Sequence, residues 1–125
     1  MSGFVTNIEQ ASLGNDDFRR VLYTASHCQL VVMSLKPGED IGKEKHQVDQ
    51  FIRIEAGDGE VVMGGDRSPI HAQSAFVIPA GTEHNVTNTG QRAMKLYTLY
   101  SPPQHRDGTV HVTRADAERD EGDHP

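Results

Sequence analysis

GEDIGKEKHQVDQFIRIEAG, residues 38–57, decides the fold. Within it Glu44, His46, Val48, Gln50, Ile52 and Ile54 share one parity. Successive side chains of a strand point to opposite faces of a sheet, so a strand over residues 44–55 turns all of these toward one side. Three candidate donors, Glu44, His46 and Gln50, are thereby aligned ahead of an apolar continuation. A second stretch, PAGTEHNVTN at residues 79–88, supplies a fourth donor. Pro79 fixes φ and Gly81 is free to adopt a positive φ, which predicts a tight turn followed by a short strand carrying His84. In a small β-barrel the two stretches bring Glu44, His46, Gln50 and His84 to one metal ion.

That set comprises two imidazoles, one carboxylate and one amide oxygen. Without a thiolate it suits divalent Fe, Mn, Ni, Co or Zn. Gln50 either ligates directly or orients a bound water or His46 from behind. Asp49 has the opposite parity and is read as a rim or outward residue; it competes for the third position only if a bulge turns it inward.

The rest of the chain reads as short strands with frequent turn signals, without a helical period of useful length and without an internal repeat. Residues 1–17 form a polar lead-in that adds an edge strand or reaches a partner subunit, and residues 18–24 begin regular structure. His27 to Leu35 suits a central strand closed by Lys36, Pro37 and Gly38. After a turn at Gly57, Asp58 and Gly59, the segment Glu60 to Met63 is expected to pair back as a hairpin. Residues 74–79 and 84–88 flank the proline turn, and a last strong strand runs from Ala93 to Tyr100 before Pro102 and Pro103. The pattern predicts an all-β antiparallel barrel over residues 18–113. In the tail, residues 114–125, a helical turn from Arg114 to Arg119 precedes a charged end expected to be disordered. His105 and His111 are read as solvated surface histidines, and His124 as terminal and mobile.

The chain resembles the small single-domain cupins. Their first motif has the spacing seen here in Gly38, five residues, Glu44, one residue, His46, three residues, Gln50, six residues and Gly57, with Glu44 standing for a His and Gln50 for a Glu. The second motif is matched by Pro79, Gly81, His84 and Asn88, with Gln73 where a leading glycine would stand. The ending KLYTLYSPPQHRDGTVH is also similar to that of related sequences. The resemblance implies a jelly-roll barrel with a metal centre whose ligand charge is kept although the carboxylate has moved. It implies three functions: a dioxygenase-like oxidoreductase, in which Glu44 shuttles a substrate proton; an isomerase similar to phosphomannose isomerases, whose zinc site also uses two His, one Glu and one Gln; and a binding module without turnover. The isomerase expectation is weakened because Lys43, Lys45 and Arg53 all have the parity opposite to the ligands.

Composition bounds the partners. A chain of 125 residues with 35% hydrophobic residues builds one core. Its formal charge of −6 disfavours nucleic acid, which calls for a basic patch. No stretch approaches a membrane span, and the polar, acidic start lacks the features of a signal peptide, so the expected location is cytoplasmic. The single Cys28 is read as a buried packing residue in a strand. A small-molecule ligand and, from the edge-strand problem, a homodimer are the expected partners.

Overall fold

The computed structural model describes residues 3–125. Its elements run α1 (Ile8–Leu13), β1 (Arg19–Thr24), β2 (Gln29–Leu35), β3 (Glu44–Lys45), β4 (Asp49–Ala56), β5 (Asp58–Met63), β6 (Asp66–His71), β7 (Ala75–Ile78), β8 (Glu83–Asn88), β9 (Met94–Ser101), β10 (Val110–His111) and α2 (Arg114–Arg119). Every strand pair is antiparallel. A six-stranded sheet has the order β10-β1-β2-β9-β4-β7, and a four-stranded sheet the order β3-β8-β5-β6.

The two sheets close on one core. Val31, Met33 and Leu35 from β2, Ile52 and Ile54 from β4 and Leu96 from β9 meet Val61, Ile70 and Val86 from the smaller sheet. Each is an inward member of an alternating strand, and burying each contributes about 1.5–3 kcal/mol relative to leaving it in water. Along β4 the predicted parity holds: Gln50, Ile52 and Ile54 are buried, while Phe51 and Arg53 are only partly covered. Phe51 packs beside Tyr97 on the outer face.

Several expectations are corrected. The strand expected over residues 44–55 is broken at residues 46–48, leaving β3 in the smaller sheet and β4 in the larger. The cause is non-local: the Gly81 amide donates to the His46 carbonyl at 2.7 Å, and the Ala80 amide donates to Asp49 Oδ1 at 2.9 Å. The segment Glu60 to Met63 lies in β5, which pairs with β6 and β8 and not with β4. The lead-in forms no edge strand. It makes the helix α1, capped by the Asn7 side chain, which accepts from the Gln10 amide, and α1 lies against β9, β4 and β2. Cys28 sits half-buried in the turn before β2, not within a strand. Gln73, where the family favours glycine, has φ +77°, the one positive φ on a non-glycine residue among the described residues. Among the described residues no helix is long and apolar enough to cross a membrane.

Candidate metal centre

The break in the motif strand is what assembles the site. β3 pairs with β8 so that Glu44 lies directly opposite His84, while His46 sits in the break and Gln50 on β4 of the larger sheet. The proline turn holds His46 by its carbonyl and occupies Asp49 through its carboxylate. Asp49 is exposed and bonded to that turn, so the third inward position belongs to Gln50, which is 3% exposed.

Glu44 Oε2 accepts from His46 Nε2 at 2.9 Å, and the His46 and His84 rings stand 5.2 Å apart. Burial pushes the Glu44 carboxyl upward, but the His46 hydrogen bond and the nearby charges of His46, Arg19 and His105 outweigh it and hold the group below its ordinary value. His84 is 5% exposed, and its Nδ1 lies 2.9 Å from the Thr82 carbonyl. A carbonyl only accepts, so Nδ1 carries the proton and Nε2 keeps its lone pair. Gln50 donates through Nε2 to Thr98 Oγ1 at 3.1 Å, which leaves Oε1 buried with no partner. An unprotonated imidazole nitrogen and an unsatisfied amide oxygen are donors of the kind a divalent cation takes.

Four further residues enclose the site, beyond the four donors expected to hold the metal. Tyr100, the register partner of Gln50, is 1% exposed, and burial pushes its phenol up to about 12. Its ring meets His46 at 6.0 Å on one side and His105 at 5.0 Å on the other. His105 donates from Nδ1 to Asp123 Oδ2 at 2.7 Å, and Asp123 also accepts from the Arg106 amide and the Thr109 hydroxyl. Arg19, on β1, is 6% exposed and lies over the Phe18 ring. Arg19, Glu44, His105 and Asp123 line a cavity of about 240 Å³ roofed by Ala117 and Glu118 of α2. His84 borders a different depression, of about 280 Å³, with Lys43, Val62 and Asn85.

His105 and His111 are therefore not solvated: they are 5% and 4% exposed. The charged end is not a loose extension either, because Asp120 and Asp123 pack back onto these histidines; His124 is exposed. Arg19 carried one legible signal, sharing parity with Val21, which faces the core. The link between His105 and Asp123 carried none, since it spans a polar segment without local pattern.

Among the described residues, one group of three or more His, Cys, Asp or Glu side chains brings its ligand atoms within 4.8 Å of one another, and it is His111, Asp120 and Asp123; Glu44, His46 and His84 do not converge that closely. The ligand atoms of the converging group are already spent on one another and on cations. His111 Nε2 donates to Asp120, His111 Nδ1 accepts from Arg19 Nη1, and Arg106 donates to Asp120. Two guanidinium groups beside the cluster oppose a metal ion there. It is an ion-pair network that fastens the tail.

The cupin domain profile matches residues 31–100. The chain is 52% identical over 121 residues to the uncharacterized protein YrkC of Bacillus subtilis (strain 168), covering 91% of this chain and 65% of that one. It therefore spans less than two thirds of that relative. The crystal structure of BH2720 from Bacillus halodurans superposes with a TM-score of 0.91 at 49% identity, covering 92% of both chains. A predicted oxalate decarboxylase from Thermotoga maritima superposes with a TM-score of 0.57 at 25% identity, over 60% of this chain and 66% of that one. The two facing antiparallel sheets, the paired histidine segments and these matches lead to one assignment: the chain belongs to the cupin family.

Proposed function

We propose that this chain holds a divalent metal ion on Glu44, His46, Gln50 and His84 and acts as a dioxygenase-like oxidoreductase on a small oxygen-bearing substrate. The observation that carries the reading is the buried, unpartnered Oε1 of Gln50, together with the carboxylate of Glu44 bonded to His46 and the His84 ring 5.2 Å from that of His46. When bound, such an ion supplies Lewis acidity and, if it is Fe, Mn or Ni, a redox partner for oxygen. His46 Nε2 and Glu44 Oε2 lie 2.9 Å apart, and both would turn to the ion if it is held, the imidazole keeping one proton on Nδ1 and the Nε2 proton passing to solvent. Glu44 also lines the cavity, where its carboxylate can take a proton from a carbon or hydroxyl next to a carbonyl. Tyr100 stays protonated and buried, shielding the inner side from water. The cavity volume of about 240 Å³ favours a small diketone or hydroxy-ketone over a fused aromatic compound. Similarity to a predicted oxalate decarboxylase supports a compact, oxygen-rich substrate.

An isomerase reading has one observation in its favour. Lys43 and Lys45 are exposed and Arg53 pairs with Glu55, as expected from parity, but Arg19 places a cation in the cavity. Oxygen uptake separates the alternatives. Metal-loaded protein should consume oxygen with a small β-diketone or hydroxy-ketone, and His46→Ala and His84→Ala should reduce the rate at least 100-fold, on the order of a lost metal ligand. Turnover that proceeds equally under argon would transfer the site to isomerisation. Saturable binding without product in either atmosphere would make the protein a binding module.

A further inference from the structure

Among the described residues, four buried side-chain atoms lack a hydrogen-bond partner: Ser12 Oγ, Arg19 Nε, Gln50 Oε1 and His105 Nε2. Native interiors tolerate few such atoms, because each forfeits its hydration without replacement. Ser12 lies in α1, but the other three surround Tyr100: Gln50 is its register partner, His105 packs edge-on at 5.0 Å, and Arg19 is close enough to act on its phenol. A cation accounts for Gln50. Arg19 and His105 remain.

The Arg19 guanidinium reaches His111 Nδ1 from Nη1 at 3.3 Å and the Tyr100 phenol, and has no carboxylate at ion-pairing distance among the described residues. A guanidinium this deeply buried is costly without a counter-charge. The carboxylates around the cavity cannot supply it, since each is engaged: Glu44 by His46, Glu118 by Arg114, Asp120 by His111 and Arg106, and Asp123 by His105. Arg19 Nε is left without a partner, and a planar fork of N–H donors matches a carboxylate best. His105 adds a different requirement. Its Nδ1 proton is committed to Asp123, so Nε2 offers a lone pair, which receives a hydroxyl proton and repels a second carboxylate oxygen.

We propose that Arg19 and His105 form the binding subsite for a small hydroxy-carboxylate, with its carboxylate on the Arg19 guanidinium and its hydroxyl donating to His105 Nε2. Among the small oxygen-bearing substrates of the proposed metal centre the subsite selects a hydroxy-carboxylate ahead of the diketone or hydroxy-ketone that the volume alone admits, and it rests on that reading only in that Glu44 faces the same cavity. Most of it comes from outside residues 31–100: β1 supplies Arg19, the segment after β9 supplies His105, and the tail supplies Asp123. The ends of the chain thus set what the shared barrel binds.

Calorimetric titration of the full chain, metal-stripped and metal-loaded, tests this with glycolate, lactate and malate against acetate, propionate and succinate, and with sulfate as a plain anion. At least one hydroxy acid should bind saturably and about tenfold or more tighter than its deoxy counterpart, the worth of one buried hydrogen bond. Arg19→Met should weaken that binding by about 100-fold, the scale of a charge-assisted contact, while its thermal midpoint stays level or rises because a buried unpaired charge is gone. His105→Phe should bring the hydroxy acid down to its deoxy counterpart's affinity. Should Arg19→Met not fold, Arg19→Lys keeps the charge without the fork and should lose about tenfold. The subsite is overturned if no hydroxy acid binds, if Arg19→Met or Arg19→Lys binds like the wild type, or if sulfate or acetate binds as tightly as the hydroxy acids. Arg19-dependent binding by metal-stripped protein supports the subsite even where no metal is taken up. Metal uptake without Arg19-dependent binding overturns the subsite and leaves the metal centre standing.

Discussion

Replacing Asp123 by Ala should destabilise the protein by about 3 kcal/mol, because three donors lose a charged acceptor at once and at least one of them is left buried. The donors are His105 Nδ1, the Arg106 amide and the Thr109 hydroxyl, and the Asp123 side chain is only 9% exposed. For a domain of this size the thermal midpoint should fall by on the order of 10 °C. The pH dependence has a definite sign. Burial pushes the Asp123 carboxyl up, but the hydrogen bonds from His105, Arg106 and Thr109 prevail and hold it well below its ordinary 3.8. His105 lies below its ordinary 6.5, chiefly because burial disfavours the imidazolium, with Asp123 opposing that shift and Arg19 reinforcing it. Both folded values are depressed, so as pH falls the unfolded chain takes up protons first. Stability is full above the unfolded values and is lost downward, through His105 below 6.5 and then through Asp123 below 3.8. Urea melts of wild type and Asp123→Asn between neutral and strongly acid pH should show the lower limb flattened in the variant. Coincident curves and equal midpoints would mean that the tail does not dock on His105.

Gly59→Ala should cost about 3 kcal/mol or more, the upper end of what overpacking does in a closed interior. A Cβ there would stand 2.2 Å from the Thr87 carbonyl oxygen and 2.3 Å from the Met94 methyl. Met94 can turn aside, but Thr87 is backbone on the neighbouring strand. β5 must part from β8, and the same ladder places Met63 opposite His84. Metal uptake should therefore fall together with stability. Gln73→Gly should do the reverse, gaining roughly 0.5–1 kcal/mol by relieving a left-handed backbone, less the entropy a glycine gives up. Thermal unfolding of both variants decides the pair: a silent Gly59→Ala or a destabilised Gln73→Gly would contradict the tight β5–β8 seam or the strained turn.

The positions that alternation governs were legible. Gln50, Ile52 and Ile54 face the core because a pleated strand buries every second residue, and Asn88 ends its strand buried, donating to the Leu35 and Arg92 carbonyls. The break after Lys45 was not, because its cause sits at residues 80 and 81 and no local pattern announces it. α1 escaped notice because six residues give too little period to read, and its stability comes from the Asn7 cap and its seat on the sheet. The histidines of the tail were misread for a related reason. A polar segment looks solvated until its carboxylates are seen to accept from two buried imidazoles. The inner wall of the candidate site was legible from the barrel strands, whereas the cavity in front of it is made by contacts between chain ends.

Elemental analysis of untagged protein, purified without chelator and run beside His46→Ala, His84→Ala and Gln50→Leu, tests the metal centre most directly. The wild type should carry about one equivalent of Fe, Mn, Ni, Co or Zn per chain, as a four-donor site requires. Both histidine variants should be empty, and Gln50→Leu should bind about 10–100-fold more weakly. Wild-type protein that is metal-free and takes up no added ion would contradict the account, as would metal that survives both histidine changes but leaves with Asp120→Ala.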